Sequence, residues 1–245
     1  MRLFGLIGYP LGHSFSKDYF TKKFEDERRA DCRYELFPIS QISKLPELLQ
    51  HHPDLRGLNV TIPYKESVLE YLHDIGHLPQ GLPACNCIKI SDGKLYGYNT
   101  DCIGFEQALV PLLQDQHRSA LVLGTGGAAK AVTFVLKKLN IPFKQVSRKA
   151  NRDEVIQYSQ LTYSMVHQHK LIVNTTPLGT YPAADEYPPI PYEALAEGHL
   201  LFDLVYNPAT TAFMQRGLER GTAVINGWDM LVGQAEESWR IWNLS

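Results

Sequence analysis

No stretch of the 245 residues approaches the roughly 18 consecutive apolar residues of a membrane span, so no membrane association is expected. Charge of one dominant sign is also missing. Lys and Arg number 24 against 26 Asp and Glu, a formal net charge of −2, which gives nucleic acid or an anionic surface no electrostatic hold. Cysteine is scarce, with four residues at 32, 85, 87 and 102 and no C-x-x-C pair. Cys85 and Cys87 flank Asn86, too close for an easy disulfide and without the spacing of a zinc site. The expectation is buried reduced thiols, no metal and a cytoplasmic location. Residues 1–10 lack a cleavage-site pattern and read as a strand rather than a signal peptide.

What is present is an alternation of strand and helix patterns. Strands are expected at 3–8, 34–38 and 58–62, with helices at 17–28, 42–50 and 64–75 between and after them. Asp92-Gly93 between two short apolar runs is a hairpin signal. A helix from Asp101 to about Gln114 follows. Further strands are expected at 120–123, 143–147, 171–174, 200–204 and 222–225. Helices are expected at 128–139, near 153–159, at 210–220 and at about 229–242, and the proline-rich 176–191 reads as a loop. This is an α/β pattern with mostly parallel sheets. Two α/β domains, each with its own core, would leave a cleft between them, the usual place for a small-molecule site.

Residues 119–131, SALVLGTGGAAKA, run from an apolar strand through a glycine turn into a helix with the spacing G-x-G-x-x-A. Gly124 suits the tight turn, and Gly126 lets backbone approach a pyrophosphate. Ala129 allows close packing of helix on strand, and the helix N-terminus presents free N–H groups to an anion. NAD-binding domains of this kind place an acidic residue about 20 positions beyond the first glycine. Here Ser147-Arg148-Lys149 occupy that position, with no acid before Asp153. A basic turn attracts a 2′-phosphate and Ser147 can hydrogen-bond it, which favours NADP over NAD. A solvated basic turn is the alternative.

Four other stretches carry polar chemistry. Asn59 and Thr61 share a direction by the period of two near a strand tip, so both can bond a hydroxylated ligand. Lys65 falls in the first turn of the expected helix, where a cation is unhelpful to the dipole; a plain surface lysine is the alternative. Thr100 or Asp101 reads as an N-cap, and Ser14 or Ser16 as either a cap or a carboxylate site. Gln234 lies on a helix face expected to be buried, where an amide needs a partner.

Taken in order, eight blocks are similar to the shikimate dehydrogenase family over nearly the whole chain. They are GYPLGHSFS (8–16), NVTIPYK (59–65), ACNCI (84–88), YNTDCIGF (98–105), GTGGAAKA (124–131), NTTPLG (174–179), DLVYNP (203–208) and GWDMLVGQA (227–235). The resemblance implies an N-terminal substrate-binding domain (1–100 plus 228–245) and a Rossmann-type NADP-binding domain (101–227). It implies reversible NADPH-dependent reduction of 3-dehydroshikimate to shikimate, on the route to aromatic amino acids, by a monomer or homodimer. By motif, Lys65 and Asp101 match the catalytic pair and Ser14 and Ser16 the carboxylate site. Asn59, Thr61, Asn86, Tyr206 and Gln234 match the groups that hold the ring and its hydroxyls. Gly124, Gly126, Gly127, Ala128, Ala129, Ser147, Arg148, Lys149, Leu204 and Gly227 fall on the cofactor side.

The chain departs from the family's usual pattern at several positions. Cys87 stands where Thr is common, Tyr19-Phe20 where His-Asn is, and His77 where an acidic residue is usual. The NADP turn reads Ser-Arg-Lys in place of the frequent Asn-Arg-Thr. None touches the catalytic pair. A quinate-active enzyme of the same fold is the nearest alternative, and a non-catalytic NADP-binding regulator a more distant one.

Overall fold

The computed structural model describes residues 1–12, 14–149 and 155–244. His13 of the first block and Asp153 lie outside the described residues. Two compact units emerge, Met1–Thr100 with Gln234–Ser245, and Asp101–Gly233. The sequence-expected boundary at 227/228 falls at the start of the closing helix, and the compact units divide inside that helix.

The first unit is built on a five-stranded mixed sheet. Strand β1 (Arg2–Gly8) lies parallel to β2 (Cys32–Pro38) on one side and to β3 (Leu55–Val60) on the other. The hairpin β4 (Cys87–Ser91) and β5 (Lys94–Tyr98) adds antiparallel to β3. Its turn is held by Asp92 and Gly93, both at positive φ (51° and 72°), the backbone that Asp-Gly favours. Alternation along β1 sends Leu3 and Ile7 into one core and Phe4 and Leu6 into another, so both faces are covered. On the second face Phe4 stacks on Trp242 with ring centres 4.9 Å apart. That ring lies so close to Gly57 of β3 that a Cβ there would come within 2.3 Å of it. Helices α1 (Phe15–Asp26) and α2 (Leu45–His51) complete the connections between the parallel strands.

The expected helix at 64–75 is reduced to a 3-10 turn, Ser67–Tyr71. The backbone then extends, and His73 and Asp74 N–H both donate to the Leu95 carbonyl on the edge of β5 (2.9 and 3.2 Å). Covering that edge wins over continuing a helix whose apolar residues (Val68, Leu69, Leu72) already reach the core from the shorter turn.

The second unit contains a six-stranded parallel sheet in the order β11-β10-β9-β6-β7-β8. Its strands are β6 (Ala120–Leu123), β7 (Phe143–Ser147), β8 (Val155–Gln157), β9 (Leu171–Asn174), β10 (Leu200–Asp203) and β11 (Ala223–Ile225). Starting at β6 the chain builds outward through β7 and β8, then returns to the other side of β6 as β9. The order reverses between β6 and β9, where α/β sheets bind ligands at their carboxyl ends. Helix α3 (Thr100–Leu109) gives way to a 3-10 turn at Val110–Leu112, short of the expected Gln114, because Pro111 has no N–H to continue it. Helix α4 (Gly127–Lys138) buries Ala129, Val132, Val135 and Leu136.

Where a helix was expected near 153–159, residues 155–157 pair with β7 as β8, and a 3-10 turn (Tyr158–Gln160) follows. The free edge of β7 claims the β-branched Val155 and Ile156. Helix α5 (Tyr163–Gln168) is an element the sequence did not announce; Thr162 caps it by accepting from Met165 N–H. Helices α6 (Ala212–Leu218) and α7 (Trp228–Trp242) follow the expected pattern, and 176–191 forms no regular element. Among the described residues no helix is long and apolar enough to cross a membrane.

Candidate active site

In the first unit the polar residues gather around the carboxyl ends of β1 and β3. Ser14 is the N-cap of α1, but its hydroxyl makes no capping bond, leaving its backbone carbonyl to accept from Lys17 and Asp18. Ser16 lies in the first turn, with its hydroxyl on the phenol of Tyr34. Burial raises the pKa of that phenol, which donates to Asn59 Oδ1 at 2.8 Å.

Thr61 sits just beyond β3, its N–H on the Ile7 carbonyl (2.9 Å). Lys65 follows in a turn rather than the first turn of an α-helix, so the helix-dipole argument for it does not apply. Its carbonyl is pinned by Cys85 N–H at 2.7 Å.

Asn59 and Asn86 are both buried, and their amides belong to one network. Asn59 Nδ2 donates to the Asn86 carbonyl (3.3 Å) and to Ser238 Oγ (3.0 Å). The Asn59 amide therefore has Tyr34, Ser238 and the Asn86 carbonyl as buried partners. Asn86 Oδ1 accepts from Thr100 N–H at 2.6 Å, and Asn86 Nδ2 donates to Thr100 Oγ1 at 3.0 Å. Thr100 is accordingly not a cap. It is the first residue of α3, and its hydroxyl faces Asn86 and Ser238. Asp101 lies in the first turn of α3, where the helix dipole favours a carboxylate. Gln234 is buried in α7, its carbonyl accepting from Ser238.

The departures noted in the sequence are accommodated locally. Tyr19 and Lys23 both bond Glu236 of α7, and Lys23 also bridges Glu27 at 2.7 Å. The His77 ring stacks on Tyr98 at 4.7 Å. The Cys87 thiol is fully buried beside Ser238, and burial raises its pKa.

In the second unit the glycine turn leaves β6. Gly124 has φ 115°, a backbone that favours glycine, and a Cβ there would meet Thr175 Oγ1 at 2.5 Å. Thr175 braces the turn by donating both its N–H (2.9 Å) and its hydroxyl (2.7 Å) to the Leu123 carbonyl. Gly126 has an ordinary φ of −77°. A Cβ at Gly126 or Gly127 would meet nothing within 4 Å among the described residues. Neither backbone strain nor packing explains those two glycines, whereas room for a ligand at the start of α4 does. Ala129 is fully buried against the sheet and Ala128 partly so. A nucleotide pyrophosphate fits this cradle. Ser147 ends β7, the strand beside β6, and Arg148 and Lys149 follow it exposed. Arg148 also acts electrostatically on Tyr158, whose pKa burial pushes up to about 12.

Across the switch point, β9 and β10 end in a buried polar cluster that sequence reading did not single out. Asp203 Oδ1 accepts from Asn174 Nδ2 (2.9 Å) and Val205 N–H (3.0 Å), and Oδ2 accepts from Thr211 Oγ1 (2.6 Å). Burial pushes the Asp203 carboxyl up to about 6 against the pull of those three bonds. The signal available was a carboxylate ending an otherwise apolar strand. The cluster holds the segment carrying Leu204 and Tyr206. Leu204 N–H donates to the Asn174 carbonyl (2.9 Å), and Gly227 N–H donates to that of Val205 (3.1 Å). A Cβ on Gly227 would lie 2.1 Å from the Leu204 carbonyl oxygen, so only glycine permits this approach. Tyr206 faces Trp228 at 6.5 Å.

Residues 6–88 match the family model described as the shikimate dehydrogenase substrate binding domain. The chain is 38% identical to the shikimate dehydrogenase (NADP(+)) of Clostridium beijerinckii, covering 99% of this chain and 92% of that one. It is 34% identical to the enzyme of the same name from Methanococcus maripaludis, with 98% and 91% covered. Among solved structures, shikimate 5-dehydrogenase from Thermus thermophilus in complex with NADP(H) and shikimate superposes with a TM-score of 0.84. That pair is 29% identical and covers 99% of this chain and 94% of the other.

Proposed function

The chain belongs to the shikimate dehydrogenase family, and on that premise we propose that it interconverts 3-dehydroshikimate and shikimate with NADPH and NADP as the redox pair. The observation that carries this reading is similarity along 99% of the chain to an NADP-dependent member, together with a glycine cradle that packing does not explain. Its domains are a substrate-binding one (1–100 plus 228–245) and an NADP-binding one (101–227). The enzyme acts in the cytoplasm as a monomer or homodimer, consistent with four free cysteines.

When bound, NADPH supplies the hydride to the C3 carbonyl carbon. Lys65 donates a proton to the carbonyl oxygen and stabilises negative charge as it develops there. Asp101 orients Lys65 and bonds a ring hydroxyl. Ser14 and Ser16 receive the substrate carboxylate. Thr61, Asn86, Tyr206 and Gln234 hold the ring and its hydroxyls. Asn59 belongs to the same set: its two amide hydrogens are held by Ser238 and the Asn86 carbonyl, and Oδ1, which accepts from Tyr34, keeps a second lone pair for a ring hydroxyl. On the cofactor side Gly124, Gly126, Gly127, Ala128 and Ala129 form the pyrophosphate turn. Ser147, Arg148 and Lys149 take the 2′-phosphate, and Leu204 and Gly227 also lie on the cofactor side. In the reverse direction Lys65 takes the proton back.

The test follows NADP reduction by absorbance with shikimate and then with quinate. Turnover with shikimate is expected. Absence of turnover with both substrates defeats the reading, and a preference for quinate replaces it with the sister activity. Lys65→Ala is expected to lower kcat by roughly 10²–10⁴ with far less effect on shikimate KM. Unchanged turnover removes the lysine from the chemistry.

A further inference from the structure

We propose that Ser238 is a positioning residue for substrate recognition, fixing the direction of the Asn86 amide through Thr100; this rests on the shikimate reading above. Ser238 is wholly buried on α7, one turn beyond Gln234. Its hydroxyl donates to the Gln234 carbonyl (2.8 Å), a bond that many helical serines make to residue i−4. What sets it apart is that the same oxygen receives contacts from two other segments, Asn59 Nδ2 at 3.0 Å and Thr100 Oγ1 at 3.2 Å.

One arrangement of the hydrogens satisfies every close contact in this cluster except the longest, Thr100 Oγ1 to Asn86 Oδ1 at 3.3 Å. A backbone N–H, that of Thr100, donates to one end of the Asn86 amide, so that end is the oxygen and the other is the NH₂. The NH₂ gives one hydrogen to Thr100 Oγ1. Ser238 directs its own hydrogen at the Gln234 carbonyl, which can only accept (2.8 Å), so the 3.2 Å contact between the two hydroxyls is filled by the Thr100 hydrogen, whose alternative acceptor is Asn86 Oδ1 at 3.3 Å. The row runs Asn86 to Thr100 to Ser238 to Gln234, each donating to the next.

A second row meets it at the same oxygen. The Asn86 carbonyl can only accept, so the end of Asn59 that faces it is the NH₂. The Asn59 oxygen therefore receives the Tyr34 hydroxyl hydrogen. In this arrangement every hydrogen of the combined network has an acceptor except the second one on Asn86 Nδ2. That hydrogen is the donor left for a substrate hydroxyl, and its direction is set because the amide can neither flip nor tilt without breaking the row.

Removing the Ser238 hydroxyl takes the acceptor from both Asn59 and Thr100. The Thr100 hydrogen then turns to Asn86 Oδ1, already 3.3 Å away, and competes with the backbone bond that orients the amide. The Cys87 thiol beside Ser238 is a weak donor and acceptor, and cannot stand in. The loss falls on the substrate side, because the glycine turn and the basic turn belong to the other compact unit.

The test is steady-state kinetics with shikimate and NADP on the wild type, Ser238→Ala, Thr100→Val, their double variant and Thr100→Ser, with melting temperatures measured alongside. We expect shikimate KM to rise about tenfold in Ser238→Ala and in Thr100→Val, with NADP KM within about twofold. The double variant is expected to be no more than about twofold worse than the worse single, because both act through one row. Thr100→Ser, which keeps the hydroxyl, recovers most of what Thr100→Val loses. Should Ser238→Ala not fold, the Thr100 pair carries the comparison. A wild type inert toward shikimate defeats the functional reading itself. An active wild type with shikimate KM unmoved in the variants overturns the positioning role. Equal rises in both KM values overturn it too, since general loosening gives that result.

Discussion

Asp203 makes a quantitative prediction about pH. Its carboxyl ordinarily titrates near 3.8, and burial raises it to about 6 in the folded chain. Between those two values the folded protein holds a proton that the unfolded chain releases. The stabilisation is therefore fully present below pH 3.8 and is lost as pH rises through about 6. The gap corresponds to about 3 kcal/mol. Asp203→Asn removes the titration while keeping the shape. Its Oδ1 still accepts from Asn174 and Val205, and its Nδ2 faces the Thr211 oxygen, which already accepts from Met214 N–H at 3.3 Å and has a second lone pair. The Thr211 hydroxyl hydrogen loses its acceptor, a pH-independent cost of about 1 kcal/mol. The variant should thus be about 2 kcal/mol more stable than wild type at pH 7 and less stable near pH 4. Urea unfolding of both proteins, followed by circular dichroism in half-unit steps from pH 4 to 8, measures the difference. Curves that stay parallel across this range refute the reasoning.

Three further outcomes follow from groups already described. Burial lowers the pKa of His117 and of His199, whose Nε2 lies 3.1 Å from the Val166 carbonyl, so the unfolded chain takes protons below pH 6.5 that the folded chain refuses. In the Asp203→Asn background, urea stability should fall as pH drops from 7 to 5.5, and adding His199→Gln should reduce that slope; an unchanged slope contradicts the assignment. Gly126→Ala should leave Tm nearly unchanged yet raise NADP KM by at least about tenfold. Gly227→Ala, forced against the Leu204 carbonyl, should cost about 3 kcal/mol, or about 6–12 °C in Tm. The reverse pattern in thermal melts and kinetics would mean that packing, not a ligand, demands Gly126. Arg148→Ala should lower the preference for NADP over NAD by at least about tenfold while leaving NAD kinetics nearly constant; an unchanged ratio removes Arg148 from 2′-phosphate recognition.

The centre of the parallel sheet in the second unit was legible because β6, β9 and β10 are buried, mostly apolar runs bounded by turn residues. Residues 120–123, 143–147 and 171–174 fall where the pattern put them. Helical spacing misled at 64–75, where Val68 and Leu69 in a 3-10 turn and Leu72 just after it reach the core, and the open edge of β5 claims the backbone that follows. Helix α5, at six residues, is too short to show a period. At the site, motif positions marked Asn59 and Asn86 without telling their jobs apart. The period of two aligns Asn59 with Thr61, but it carries no sign that Ser238, 179 positions away in the chain, accepts from the Asn59 amide. Ser238 itself had no signal, since one serine in an amphipathic helix looks like any other. Such pairings are set by tertiary contact, and local pattern does not contain them.

The seating of Trp242 against Gly57 bears on the order in which the protein is made. The first unit is discontinuous, and residues 101–233 are synthesised before its last stretch. The second unit thus has its entire sequence available while Phe4, Phe20 and Phe24 still wait for Trp239 and Trp242 to cover them. Closing that aromatic face requires contacts between residues nearly the full chain length apart, which form late because the loop they close is long. Until those contacts form, the chain carries one sheet with an uncovered apolar side, and that side is where chaperones or stray aggregation would act first.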